Sequence, residues 1–258
     1  MVDASSFAVL AAASLAGAVL QAAFGFGYAI LAAPIFLAVM HSHAAIQVLV
    51  VLHVVLSAIV VPGIWRGAPR RLTALLMAGS LAGFPIGLAI FLRLDVKTLL
   101  LAVGVVTILF TLVLLKREWG SPPVSVDAAM PRDESQIAFR PLSALSIGFA
   151  SGLLTAVLVM PGPTAMLYLR ALGFSKDQSR AAALTFFAFC YVMVTAMSAA
   201  WGNLSPESWS LAALLLPAVI AGALIGRRLS HHLSEERYRS AVLALLMLSG
   251  AYAIWRAV

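Results

Sequence analysis

Charge is what this sequence has least of. Lysine, arginine, aspartate and glutamate make up 10% of its 258 residues while 62% are hydrophobic, and the mean hydropathy is +1.02. Apolar segments recur along the whole length, which excludes an ordinary water-soluble domain and predicts a polytopic, all-α membrane protein. The ten acidic residues (Asp3, Asp95, Glu118, Asp127, Asp133, Glu134, Asp177, Glu207, Glu235 and Glu236) all fall in expected tails, loops or helix ends, so the hydrocarbon layer holds no obvious fixed charge. Cysteine is almost absent too. The single Cys190 lies in an apolar run, which excludes an intrachain disulfide and a cysteine-built metal site and marks a small core residue. A basic n-region is missing before the first apolar segment, since only Met1-Val2-Asp3 precede it; that segment is therefore read as mature structure and not as a cleaved signal peptide.

The charge that is present is mostly positive, net +7. The basic residues cluster at the ends of apolar runs, as cytoplasmic loops do, so a lipid bilayer and not nucleic acid is the expected partner.

Two apolar stretches are too long for a single crossing. Phe7 to about Val39 is broken at Phe24-Gly25-Phe26-Gly27-Tyr28, and Ala144 to Phe174 is broken at Met160-Pro161-Gly162-Pro163-Thr164. About 33 residues at roughly 1.5 Å each would make a rod of about 50 Å against a hydrocarbon core of roughly 30 Å. After the first broken stretch come apolar runs at about 44–63, 72–92 and 96–115; after the second, runs at about 181–201, 209–226 and 238–255. Gly17 and Gly27 align with Gly152 and Gly162, and Gly83 and Gly87 with Gly222 and Gly226. The expected organisation is a first membrane repeat at 1–115, a polar linker at 116–141 and a second membrane repeat at 142–258.

Counting lysines and arginines chooses how the broken stretches cross. If each crosses once, the basic residues divide almost evenly between the two sides. If each is a hairpin that enters and leaves on one side, the loops at 64–71, 116–141, 170–180 and 227–239 share a face that holds all basic residues except Arg93, Lys97 and Arg256. The positive-inside rule favours the hairpins. Each half is then a hairpin plus three spanning helices, an odd number of crossings, which predicts two inverted-topology repeats with the linker in the cytoplasm and both termini outside. Whether the hairpin arms fully span is left open; the second arms, about 28–40 and 163–173, look short.

Each break is expected to start a helix inside the membrane. Gly25 and Gly27 allow backbone angles closed to other residues, Phe24, Phe26 and Tyr28 can wall a small cavity, and Pro163 suits a first helical turn. Helix N-termini carry unpaired N–H groups and roughly half a positive charge. Two of them together offer roughly one positive charge without any lysine or arginine, which suits a small monoanion, or a dianion with a co-bound cation. Gln21, Thr164, Ser151 and Thr155 are candidate donors. A lone glycine or proline in a membrane helix more often serves packing; two breaks at matching places in a repeat point to a site. His53, in the middle of an apolar run, either carries a coupling proton or simply bonds a neighbouring helix. His41, His43, His231 and His232 fall in loops and lack the other ligands of a metal site.

At these residues the chain resembles the TauE/SafE family of sulfite exporters and organosulfonate permeases. The resemblance rests on Gly25-Phe26-Gly27-Tyr28 to Pro34 in the first half and on Gly162-Pro163-Thr164, Tyr168-Leu169, Gly173 and Arg180-Ala181 in the second, and it runs over nearly the whole chain. The chain departs from the family pattern at Tyr28, where members often continue a glycine run, and at Met160-Pro161. The resemblance implies a secondary transporter of the bacterial-type cytoplasmic (inner) membrane that carries sulfite, thiosulfate or organosulfonates by alternating access. It also implies contacts to substrate from Gly25, Phe26, Gly27, Gly162, Pro163 and Thr164, to which the reading of the breaks adds Gln21 and Tyr28. No cofactor is expected beyond a coupling H+ or Na+. An anion channel shares the same site, an intramembrane enzyme has only His53, Cys190 and scattered hydroxyls to work with, and a subunit of a larger complex would depend on a partner.

Overall fold

The computed structural model describes residues 3–120, 134, 137, 139–201, 205–229 and 235–257. Their secondary structure is helical: α1 (Ala4–Phe24), α2 (Tyr28–Met40), α3 (Ala44–Val60), two short 3-10 turns at Val61–Gly63 and Trp65–Gly67, α4 (Arg70–Phe91), α5 (Val96–Gly120), α6 (Pro141–Leu158), α7 (Gly162–Ala171), α8 (Lys176–Ala200), α9 (Pro206–Leu229) and α10 (Glu235–Ala257). Seven of the described helices are long and apolar enough to cross a membrane, while Tyr28–Met40 is apolar but shorter. At 13 and 10 residues, α2 and α7 rise only about 20 and 15 Å.

The helices outrun the apolar segments that announce them. Helix α8 begins at Lys176, because Ser175 accepts from the Gln178 N–H while Gln178 reaches back to Ser175 in a capping box. Polar first turns of this kind leave no hydropathy signal but satisfy the orphan N–H groups of a helix start. At the other end of a run, α5 continues through Lys116 to Gly120, so the first residues of the expected linker are helical. Of the remainder, 121–133 lie outside the described residues, as do His231 and His232.

Two seams of glycine hold the bundle together. A methyl group on Gly79, Gly83 or Gly87 would fall 2.1, 2.2 or 2.6 Å from the carbonyl oxygens of Leu145, Phe149 and Leu153. The register advances in the same direction on both helices, so α4 and α6 run parallel with their backbones nearly touching. Gly222 and Gly226 meet the carbonyls of Leu15 and Val19 in the same way, which makes α9 parallel to α1. In lipid there is little hydrophobic drive between helices, and close backbone approach at small residues supplies the association instead. Helices α5 and α10 meet at Gly104 and Gly250, where Gly104 faces Ile254 while Gly250 faces Ile108; this pair is antiparallel.

Polar contacts sort the molecule into two ends. At one end Gln47 accepts from Ser208 (2.8 Å) and His43 bonds the Leu94 carbonyl (2.7 Å), while Arg256 donates to the Ala38 carbonyl (3.2 Å) beside His41. At the other, Glu134 accepts from the N–H groups of Arg71 and Leu72 (3.1 and 2.6 Å), capping α4, and Gly67 lies against Ala181.

Candidate anion site

The two breaks turn the chain by different means. In the first, Gly25 (φ 87°) caps α1 by donating to the Gln21 carbonyl at 2.8 Å, and Gly27 (φ 119°) starts α2 with no side-chain cap. In the second, Val159 takes the left-handed turn (φ 59°), donating to the Thr155 carbonyl at 2.9 Å, while Met160 donates to Leu154 at 3.3 Å. Pro161 follows, and Gly162 opens α7 at an ordinary φ. At each break the helix that follows packs against the helix before it. Gly27 and Tyr28 lie against Leu20 and Gly17 of α1, while Thr164 hydrogen-bonds Ser151 and Tyr168 bonds Ser143 (2.8 Å) across α6 and α7.

The breaks meet. A small cavity of about 10 Å³ is lined by Gln21, Phe26, Gly27, Ala29 and Ile30 from the first half and by Met160, Pro161, Gly162, Phe187 and Tyr191 from the second. A Cβ on Gly162 would stand 4.0 Å from the Phe26 Cβ and 3.5 Å from Phe187. The first turn of α2 and the opening residue of α7 therefore border one spot, and a helix start leaves N–H groups without partners of its own. Gln21 is 2% exposed and its amide nitrogen has no hydrogen-bond partner. A buried, unpartnered donor costs about 1–3 kcal/mol, and this one belongs to a side chain on the cavity wall.

Beside the cavity, His53 stands between two tyrosines, 4.4 Å from the Tyr28 ring and 4.1 Å from the Tyr191 ring. Its Nδ1 bonds the Leu49 carbonyl one turn back (2.7 Å), and its Nε2 has no partner; the Tyr28 hydroxyl is also buried and unpaired. The positively charged half of the setting has a further source. Arg180, one turn into α8, donates to the Ala22 carbonyl at the end of α1, and its aliphatic stem lies against Gly25. A cation on the carbonyl end of α1 offsets the negative end of that helix dipole, which otherwise opposes the positive start of α2.

Of the residues singled out in the sequence, Gln21, Phe26, Gly27 and Gly162 line the cavity. Gly25 sits against Arg180, Tyr28 against His53, and the Thr164 hydroxyl is taken by Ser151. Pro163 lies in the first turn of α7, and its side chain, like that of Phe24, is outside the described residues. Thr155 bonds the Ser151 carbonyl of its own helix. Phe187 and Tyr191 were missed because α8 is unbroken; an aromatic pair four residues apart in an apolar helix looks like ordinary core. Arg180 appeared only as part of a family motif. Among the described residues no three of His, Cys, Asp and Glu come together as a metal site.

Comparisons with curated proteins and with solved structures each return no match. The family model for the sulfite exporter TauE/SafE family does match, over residues 9–253; with its apolar spanning helices, this chain is a multi-pass transmembrane protein that belongs to that family of transporters.

Proposed function

We propose that the protein is a secondary transporter of small sulfur-containing or organic anions, of the sulfite and sulfonate type, which bind between the two breaks and pass by alternating access. The observation that carries this reading is the Gln21 amide, buried with no partner on the wall of a cavity that two helix starts share. Helix N-termini and an amide N–H₂ are donors matched to the oxygens of an oxyanion, and they need no fixed charge in the hydrocarbon layer. At about 10 Å³ the cavity holds roughly one water, smaller than any of these anions, so the breaks part when substrate enters. In this reading the present state is closed to both ends.

The halves 1–115 and 142–258 form two inverted repeats, each a re-entrant hairpin followed by three crossings. The parallel seams α1 with α9 and α4 with α6, together with antiparallel α5 and α10, support that order, because a broken stretch that crossed only once would set α5 and α10 parallel. The positive-inside rule then puts the end carrying Arg66, Arg70 and Arg180 in the cytoplasm of a bacterial-type cell, with the termini outside. An inside-negative potential favours anion exit by roughly 2.3 kcal/mol per charge per 100 mV, so export proceeds without a coupling ion. Uptake requires H+ or Na+, and His53, flanked by two tyrosines next to the cavity, is the group placed to carry a proton.

The test is uptake of sulfite, thiosulfate, taurine and sulfoacetate into proteoliposomes of the purified protein, each with and without an imposed potential. Saturable flux of at least one, with counterflow, is expected. Absence of flux for all four from folded protein removes the substrate assignment, and non-saturating flux replaces the transporter with a channel.

A further inference from the structure

A second polar feature of the molecule lies outside the breaks. At the arginine-rich end an open recess of about 650 Å³ is walled by Ile64, Arg66, Arg70, Glu134, Asp177 and Arg180. Three guanidinium groups there face two carboxylates, and Glu134 is already committed to the N–H groups of Arg71 and Leu72. Arg66 and Arg70 are exposed, and Trp65 lies under the Arg66 guanidinium at 5.7 Å. Arg180 stands where the recess and the first break come together. Its terminal nitrogen holds the Ala22 carbonyl, its Nε is buried without a partner, and its stem covers Gly25. From Arg180, the cavity-lining Phe187 and Tyr191 are seven and eleven residues along α8, about 10 and 16 Å at a helical rise.

We propose that this recess is a docking site for small oxyanions, in which Arg66 and Arg70 gather the anion and Arg180 hands it to the first break. The handover rests on the breaks being the transport site; the docking itself does not. Guanidinium groups suit the oxygens of sulfite, thiosulfate or a sulfonate because their N–H donors form a fixed fork. The anion competes with the Ala22 carbonyl for Arg180. Winning that competition draws the guanidinium out of its contact with the end of α1 and uncovers Gly25, so occupation of the recess and loosening of the first break are one event.

The experiment is calorimetric titration of the purified full-length protein with thiosulfate, alongside flux in proteoliposomes. It uses Gly162→Leu, which overfills the cavity between the breaks at a residue that does not wall the recess, and takes only protein whose size-exclusion profile and unfolding midpoint in detergent show it folded. The Gly162→Leu protein is expected to bind one thiosulfate although its flux is gone, and adding Arg66→Gln with Arg70→Gln, or Arg180→Gln, weakens that binding about tenfold or more, in line with loss of a charge-assisted hydrogen bond. Arg180→Lys keeps a charge but loses the fork; it retains binding and slows flux. Loss of all binding in Gly162→Leu, or binding indifferent to the three arginines, overturns the docking site. Full flux in Gly162→Leu with arginine-dependent binding intact overturns the breaks as the transport site and leaves the recess standing.

Discussion

The first and second breaks reach one cavity by opposite backbone chemistry. Gly25 and Gly27 both occupy positive φ, where a side chain is strained, whereas Gly162 does not, and the left-handed turn of the second break falls to a valine. The first break also has Arg180 on the carbonyl end of its incoming helix, while the carbonyls of Leu154 and Thr155 at the second are met by the backbone N–H groups of Met160 and Val159. The first break therefore depends on glycine for its shape. The second depends on glycine only for its room. The same residue type at the two breaks thus does two different jobs.

That contrast is broken most severely at Gly27. An alanine there sits at φ 119° with its Cβ 3.2 Å from that of Leu20, and the strain amounts to about 2 kcal/mol. Gly27→Ala is expected to lower the thermal unfolding midpoint in detergent and to remove flux together; a variant with normal stability contradicts the shape requirement. Gly162→Ala separates the two effects. Its Cβ meets Phe187 at an ordinary 3.5 Å, so stability stays within about 0.5 kcal/mol of the parent. The methyl still takes room from a cavity of about 10 Å³, and crowding that arises only when the anion is bound, about 1–3 kcal/mol, lowers anion flux roughly tenfold or more. Equal loss of stability in both variants would erase the distinction.

Val159→Gly is a smaller perturbation. Glycine relieves a left-handed residue by about 1–2 kcal/mol but gives up the packing of a fully buried valine side chain, a cavity-forming loss of about 2–3 kcal/mol. The expected net change is a destabilisation of about 1 kcal/mol, read from chemical or thermal unfolding, and a marked stabilisation would mean the valine packs poorly. Smallest is Asp95, remote from both breaks. Its carboxylate accepts from the Thr98 N–H at the start of α5 (3.4 Å). The Thr98 hydrogen bond, with a contribution from nearby His43, holds its pKa below the ordinary 3.8. A depressed folded pKa stabilises above the ordinary value, and that benefit disappears as pH falls through the lowered one. Asp95→Asn should therefore differ slightly from the parent at pH 6 and not at all near pH 2, with flux unchanged.

Most of the fold was legible because membrane helices must satisfy their own backbone and advertise themselves as apolar runs. The breaks were legible for the same reason, since Gly25-Phe26-Gly27 and Pro161-Gly162-Pro163 interrupt runs that are otherwise continuous. Helix ends were less so: the capping box at Ser175 and the continuation of α5 past Lys116 are polar, and hydropathy is blind to them. Of the cavity's lining, Gln21, Phe26, Gly27 and Gly162 on the broken segments were singled out in the sequence, while the residues on intact α8 were not. Phe187 and Tyr191 join the cavity only through the packing of α8 across the bundle, and the hydroxyl of Thr164, singled out as a donor to substrate, bonds Ser151 in this structure. No local pattern records which way a side chain turns once the halves are assembled.

The central claim is that the two breaks share one anion site. Phe26 and Gly162 test it most directly, because their Cβ positions are 4.0 Å apart, within the roughly 3.5–4.5 Å range of a disulfide. Phe26→Cys with Gly162→Cys, in a protein whose only native cysteine is replaced by Cys190→Ala, should cross-link under mild oxidation. Flux of thiosulfate, already lowered in the reduced double-cysteine protein, should stop in the cross-linked protein and return to that reduced level on treatment with a phosphine reductant. Failure to cross-link, or undiminished flux through the cross-linked protein, would contradict the account.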